Sequence, residues 1–494
     1  MSAHRLISLA VSLVVGLTPI VVSAQTGDPD SMAILQEIKV QTLGHSNAYS
    51  YVSELSEIIG PRLTGSSRAS LACKWAMEKM KRAGLQNVHL EPFNIGRAWQ
   101  REYANAQLML PYRLGLNISS YGWTGSTRQG GVDAEVVAVN ADLIPDEIKQ
   151  HSKLWKDRIL FLTPLSANHL NPIRVYSQVA SLLGAATKAN AVAVIYGTGR
   201  PGELLNHTGP ADFKDSSFSI PVVDIAPAHM ELLRRMVTAR TRIRIKIDVQ
   251  NTFRPGPIQC SNVIGDLPGS ERPDEVVVVA AHLDSWDLAT GAVDDGFGVA
   301  AVLGAADTIL SQHIRARRTI RFVLFTGEEQ GLLGSLAYIR THKAEMKNHV
   351  CAFAMDWGSG PISNLPLAGH DELEPSFTHF ASLMTDIGEI KVDHTYLSFT
   401  DAYAFTLAGV PGIAPYQNSP NYVEVGHSAE DLLPKVDRKN LISNTAVFAD
   451  LAFWAANYPT RLATQWSHQK IVNVLTRDSQ RTLLELFGLW SLIR

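Results

Sequence analysis

The run Val276-Val277-Val278-Val279-Ala280-Ala281 ends in His282-Leu283-Asp284, and a short stretch later the chain reads Asp294-Asp295-Gly296. Four valines and two alanines in succession suit a strand buried on both faces, since no polar residue alternates with them. Such a strand suits an open α/β sheet. In open α/β sheets, ligands bind just beyond the carboxyl ends of the strands. His282 and Asp284 stand at that place.

Two later runs repeat the arrangement. Thr319 to Phe325 is strand-like and is followed by Thr326-Gly327-Glu328-Glu329, and Val350 to Met355 is followed by Asp356. One His after an apolar run is ordinarily a core or loop residue. Three strand ends that each carry an imidazole or a carboxylate point instead to a common site. Gly298 to Leu310, apolar on nearly every side, predicts a buried helix between the first two strands, which makes a βαβ unit.

The 494 residues are too many for one ordinary domain and suggest two or three. A 46% apolar and 18% charged composition supports a large core and argues against disorder. The net charge of −3 gives no electrostatic case for nucleic acid or an anionic membrane as partner. Residues 1–24 read as a secretory signal: His4 and Arg5 lead, Leu6 to Val22 is apolar, and Val22-Ser23-Ala24 offers a cut before Gln25. The competing reading is a membrane anchor, for which the run is slightly short. No later stretch reaches ~18 uninterrupted apolar residues, so no span is expected after cleavage. The expected location is secreted or periplasmic. Cys73, Cys260 and Cys351 allow at most one disulfide. Asn117-Ile118-Ser119 and Asn206-His207-Thr208 are glycosylation sequons in a host that glycosylates.

Met32 to about Ile59 has helical spacing in two pieces, with a break near Gly44. After the turn-rich Gly60-Pro61-Arg62-Leu63-Thr64-Gly65, a serine cap at 66 or 67 opens a helix that Gly84 closes, with Leu71, Trp75, Met80 and Ala83 on one face. Val88 to Phe93 reads as a strand. Residues 32–115 and 255–458 are expected to form one discontinuous domain. Residues 120–250 read as an inserted α+β module with short strands at Val136–Val139, Ile159–Leu162, Val192–Tyr196 and Ile220–Val223, and a helix over Val179–Lys188. Gly130-Gly131 and Arg254-Pro255-Gly256-Pro257 mark its expected borders. None of its strands ends in a ligand cluster. Residues 459–494 are a tail expected to dock on its own domain.

His282, Asp294, Glu328, Glu329, Asp356 and His427 together match what two zinc ions need. Two such ions ~3.5–4 Å apart can share one carboxylate. Asp294 is the candidate bridge, with His282, Glu329, Asp356 and His427 completing two half-sites. Asp284 is placed to hold the second ring nitrogen of His282. Glu328 is then free to act as general base. The bland alternative makes Glu328-Glu329 an acidic pair at a helix N-terminus.

These motifs carry a resemblance. His282-Leu283-Asp284-Ser285-Trp286-Asp287, Asp294-Asp295-Gly296, Glu328-Glu329-Gln330-Gly331, Asp356 and His427-Ser428 with Asp431 behind it are similar to the di-zinc exopeptidase family. That family includes secreted bacterial leucyl aminopeptidases, glutamate carboxypeptidase and transferrin receptor, and the likeness is greatest to its carboxypeptidase Q branch. It covers about residues 32 to 458, and Gly60 to Gly65 resembles the family's N-terminal loop. The resemblance implies a phosphorylase/hydrolase-like mixed sheet flanked by helices, with residues 120–250 as an inserted protease-associated (PA) domain. It implies two zinc ions, other divalent metals also fitting the ligands. It implies Asp294 as the bridging ligand, Glu328 as the base, and a tyrosine that steadies the oxyanion, for which Tyr422 is the candidate and Tyr416 the reserve. The expected activity is that of a zinc exopeptidase on dipeptides or short peptides with a free N-terminus, with peptide substrate as partner and a homodimer left open. The alternatives are a broad aminopeptidase on longer peptides and a non-enzymatic receptor-like member, which should have lost ligands. Carboxypeptidase Q relatives often carry a second His directly before the last ligand. Here that residue is Gly426, a departure that bears on substrate preference rather than on metal binding.

Overall fold

The computed structural model describes residues 29–163, 172–197, 219–420 and 422–493. The signal segment and the sequon at Asn206 lie outside them. The predicted central strand spans Arg272–His282. It runs parallel to Arg318–Phe325 on one side and to His349–Ala354 on the other, in a twelve-stranded mixed sheet. Its valines divide by parity. Val277, Val279 and Ala281 enter one core and Val276, Val278 and Ala280 another. Fully burying a valine side chain contributes about 1.5–3 kcal/mol, so both faces of this strand hold the fold together.

Helices cover the two faces. On one lies Gly296–Ser311, buried almost all round, packed against Arg438–Asn457, Pro29–His45 and Ala48–Ser53. Tyr338 of helix Leu333–Thr341, with Ala402 and Phe405 of Asp401–Leu407, covers the other. The architecture is the expected α/β fold with a mixed sheet flanked by helices. Among the described residues no helix is long and apolar enough to cross a membrane.

Helix Ser67–Ala83 has the expected caps, with the Ser66 side chain accepting from the Ala69 amide and Gly84 left-handed at φ +100°. Its buried face differs from the expected one. Ala69, Ala72, Cys73, Ala76 and Met80 turn inward and Leu71 is exposed. Small residues let this helix approach the sheet closely, and size outweighs hydrophobicity in choosing the face.

The main departure is a ribbon. Gln86–Leu110 and Arg244–Leu267 pair antiparallel along nearly their whole length. The expected strand at Val88–Phe93 is one end of it, and Arg254–Pro257, read as a border, lies inside the second strand. Proline lacks a ladder donor, but a two-stranded ribbon has open edges where that donor is not needed. The ribbon's far end joins Val132–Val139, then Ile159–Leu162, Ala193–Tyr196, Val222–Ile225 and Ile118–Ser120, with helices Pro172–Lys188 and Pro227–Thr238. These elements have apolar cores of their own. The tail after residue 460 forms helices His468–Arg477 and Arg481–Leu486, which pack with Leu332, Leu336, Tyr403 and Leu407 of the main domain.

One buried charge stands apart. Asp450, within Arg438–Asn457, is fully buried, and neither carboxylate oxygen has a hydrogen-bond partner among the described residues. Burial pushes its carboxyl up to about 8, with Asp386 adding and Lys39 opposing. An acid whose folded pKa is raised binds its proton more tightly when folded, so stability falls as pH rises from about 4 toward 8. Asp450→Asn removes this dependence. Thermal melts should show the variant more stable near pH 8, by on the order of a few kcal/mol, with a flatter curve between pH 4 and 8. Parallel pH–melting curves for the two proteins would refute this assignment.

Candidate metal centre

Three neighbouring strands deliver the expected residues to one end of the sheet. His282 is the last residue of its strand, Glu328 and Glu329 follow Arg318–Phe325, and Asp356 follows His349–Ala354. Asp294 comes from the loop before helix Gly296–Ser311. His427 comes from the loop after the short helix Tyr422–Val425, in a left-handed backbone at φ +55°.

Asp294 stands between the two imidazoles. Its Oδ1 is 3.1 Å from His282 Nε2, and its Oδ2 is 3.1 Å from His427 Nε2. Each imidazole has a second carboxylate: Asp356 Oδ1 at 3.4 Å from His282 Nε2, and Glu329 Oε2 at 3.0 Å from His427 Nε2. The structure therefore brings His282, Asp294, Glu329, Asp356 and His427 together as two triads that share Asp294. Burial alone would raise Asp294, but the two imidazoles outweigh it and hold its carboxyl well below the usual range. Burial pulls both imidazoles down, and their carboxylates more than reverse this. Asp356, Asp284 and Asp294 raise His282, while Glu329 and Asp294 raise His427.

The donor set fits divalent cations. Ligand-type atoms of His282, Asp294 and Glu329 lie within 4.8 Å of one another, as do those of His282, Asp295 and Asp356. Glu329 Oε1 is buried and meets no hydrogen-bond donor among the described residues. Burial pushes the Glu329 carboxyl up to about 7, opposed by His427 and reinforced by Asp294. An excess of buried carboxylate with an orphaned oxygen is what a bound cation would compensate.

The remaining expected residues have more varied places. Tyr422 donates its hydroxyl to Asp294 Oδ2 at 2.9 Å, while the Tyr416 ring packs on Trp357. Glu328 is half-buried beside the cluster, and its backbone amide donates to Asp284 Oδ1 at 3.3 Å. Burial, then Asp356, Glu329 and Asp401, push its carboxyl well above the usual range against His282. Asp284 differs from its expected geometry. Its backbone carbonyl oxygen lies 3.1 Å from His282 Nδ1, and its carboxylate is 3.7 Å away. The carboxylate is engaged elsewhere, accepting from Thr64 Oγ1 at 2.8 Å and from Glu328 N. Gly426 also has a physical reason. A Cβ there would stand 2.8 Å from Cε2 of Tyr422, so a side chain at 426 would displace the tyrosine ring.

Three residues that lie within the quoted motifs have supporting tasks that the sequence did not assign. Asp295 caps helix Gly296–Ser311, with Oδ1 accepting from Gly298 N at 2.9 Å, and its Oδ2 accepts from His282 N at 3.2 Å. The doubled aspartate before a glycine and an apolar helix was its available signal. Asp431 accepts from Val293 N at 2.6 Å and Asp294 N at 3.1 Å, which fixes the loop that carries the shared carboxylate. Arg62 is fully buried. Its guanidinium donates to the carbonyls of Leu283 (2.7 Å), Thr290 (2.7 Å), Gly291 (2.9 Å) and Gly60 (3.2 Å). Nothing in its own stretch of sequence signals that it reaches 220 residues along the chain.

Residues 262–452 match Peptidase family M28. The chain is 28% identical to bovine (Bos taurus) carboxypeptidase Q over 417 residues, covering 83% of this chain and 86% of that one. A crystal structure of a Peptidase M28 precursor from Shewanella amazonensis superposes with a TM-score of 0.79 at 28% identity, covering 89% of this chain and all of that one. A zinc aminopeptidase from Bacillus subtilis shares the fold, with a TM-score of 0.65 at 21% identity over 85% of this chain and 97% of its own. The match over residues 262–452 and the relatives that span most of the chain mark it as a metallo-exopeptidase similar to peptidase family M28.

Proposed function

We propose that the protein is an exported zinc exopeptidase that hydrolyses dipeptides or short peptides with a free N-terminus. The observation that carries this reading is the sharing of Asp294: one carboxylate facing two imidazoles, each with a carboxylate of its own. The relatives add support, since they include carboxypeptidase Q, a Bacillus subtilis aminopeptidase and a probable zinc metalloprotease from Pyrenophora teres. In this reading His282, Asp356 and Asp294 hold one zinc, and His427, Glu329 and Asp294 hold the other. Bound there, the two ions would polarise the scissile carbonyl and lower the pKa of a water.

The protein's own groups then have distinct tasks. Glu328, not needed as a ligand, takes the proton of the attacking water and returns it to the leaving amine. Tyr422 steadies the oxygen of the tetrahedral intermediate with its hydroxyl, which must leave Asp294 to do so. Asp284 holds the loop of His282. We assign residues 120–250 as a PA domain that shapes access, and residues 1–24 as the signal for export.

The competing reading is a broad aminopeptidase on longer peptides, favoured by the open side of the centre, where the His427 side chain keeps 36% of its surface exposed. A peptide-library digest read by mass spectrometry separates the two. The proposal predicts rapid cleavage of dipeptides, little trimming of longer peptides, and loss of both with a chelator. Progressive N-terminal trimming of long peptides would establish the competing reading, and internal cleavage would contradict both.

Glu328→Gln should lower kcat by ~10²–10⁴-fold with metal content unchanged, because glutamine keeps the shape but cannot accept the proton. Glu329→Gln should lower metal occupancy as well as rate. Rate and zinc content measured on the same samples decide. A fully metallated Glu328→Gln enzyme that keeps more than roughly a tenth of wild-type kcat would exclude Glu328 as the base.

A further inference from the structure

The two imidazoles of the centre are braced differently. His282 is enclosed, and its Nδ1 faces the Asp284 carbonyl oxygen. His427 is half-exposed, and its polar contacts among the described residues, Asp294 and Glu329, both fall on Nε2. No hydrogen bond among the described residues sets the other side of its ring. Its backbone is left-handed, so the chain alone does not hold it in a relaxed conformation.

An aromatic series meets this ring instead. The Trp286 ring meets His427 nearly edge-on, with centroids 6.4 Å apart and planes at 71°. Trp123 meets Trp286 at 6.0 Å and 89°, and Trp99 stacks on Trp123 at 5.9 Å and 22°. The Trp99 indole N–H donates to the Thr124 carbonyl at 3.1 Å, which fixes the segment that carries Trp123. Beside Trp286, Asp287 is held by both Nε (3.2 Å) and Nη2 (3.0 Å) of Arg101. Trp99 and Arg101 belong to the long ribbon. Trp123 lies between strands Ile118–Ser120 and Val132–Val139, on the side of the inserted elements.

We propose that Trp123 is a positioning residue for the His427 half of the metal centre, acting through Trp286. The inference rests on the two-zinc reading above. The inserted elements contribute no ligand in it, but they hold the ring of one. It follows that the two zinc sites are unequal: the His282 site is braced by its own loop, and the His427 site depends, through Trp286, on a tryptophan far earlier in the chain. Groups that orient a metal-ligating imidazole typically change metal affinity by about 10–100-fold when removed.

The test is a zinc titration of the full chain, freed of metal by a chelator and followed by calorimetry with a competing ligand. Wild type should take up two zinc ions in two resolved steps. Trp123→Ala should leave the tighter step within about twofold and weaken the other by about tenfold or more. Trp123→Phe, which keeps a flat ring against Trp286, should recover most of the loss. If the alanine variant fails to fold, Trp123→Leu, which keeps bulk without the aromatic face, is held to the same criteria. Two zinc ions bound with an unchanged Trp123→Ala curve, or both steps weakened equally, would overturn this inference and leave the two-zinc reading standing. A wild-type chain that binds fewer than two zinc ions would overturn both.

Discussion

Asp294 is a buried carboxylate shared by two imidazoles, and its surroundings are organised to keep it in that place. Asp431 accepts from its amide and from the amide of Val293, so the loop cannot swing away from His282 and His427. Asp295, the next residue, caps the buried helix and accepts from the His282 amide, which ties that loop to the end of the central strand. Arg62 takes four carbonyls, three of them from the loop that joins His282 to Asp294. Burial lowers the guanidinium to about 10, while Asp431, Asp284, Asp295 and Asp294 pull it back up. A buried guanidinium is tolerable only where its donors are engaged and its charge is answered. The arginine and the acidic cluster therefore depend on each other.

The parts of the fold that rest on one strong local signal were legible in the sequence. The valine run gave a strand buried on both faces, and the carboxyl ends of three such strands gave the place where polar side chains converge. The caps of helix Ser67–Ala83 were legible because serine and glycine have specific backbone uses there. The long ribbon was not. Apart from the buried end Asn262 to Leu267, most of its residues are exposed or half-exposed, so no long apolar run marks it, and Pro255 and Gly256 within it look like a boundary. Which aspartate of the pair at 294 and 295 faces the imidazoles was assigned by resemblance. That the other supports the strand end needed coordinates. Arg62 and Trp123 act across more than 160 residues of chain, and local pattern does not report contacts of that range.

The ribbon gives the architecture its functional logic. It pairs with Val132–Val139 at one end and with the central strands at the other, where Val263 to Leu267 pair onto Arg318–Phe325. Midway it presents Trp99 and Arg101 to the loop that follows His282. Elements distant in sequence thus meet beside the more exposed of the two imidazoles, His427.

The central claim is that Asp294 joins two metal sites, and anomalous X-ray scattering at the zinc edge from crystals grown with zinc tests it most directly. The expected result is two zinc peaks ~3.5–4 Å apart, one on each carboxylate oxygen of Asp294, one also on His282 and Asp356 and the other on His427 and Glu329. A single peak at this centre, or two peaks that do not share Asp294, would contradict it.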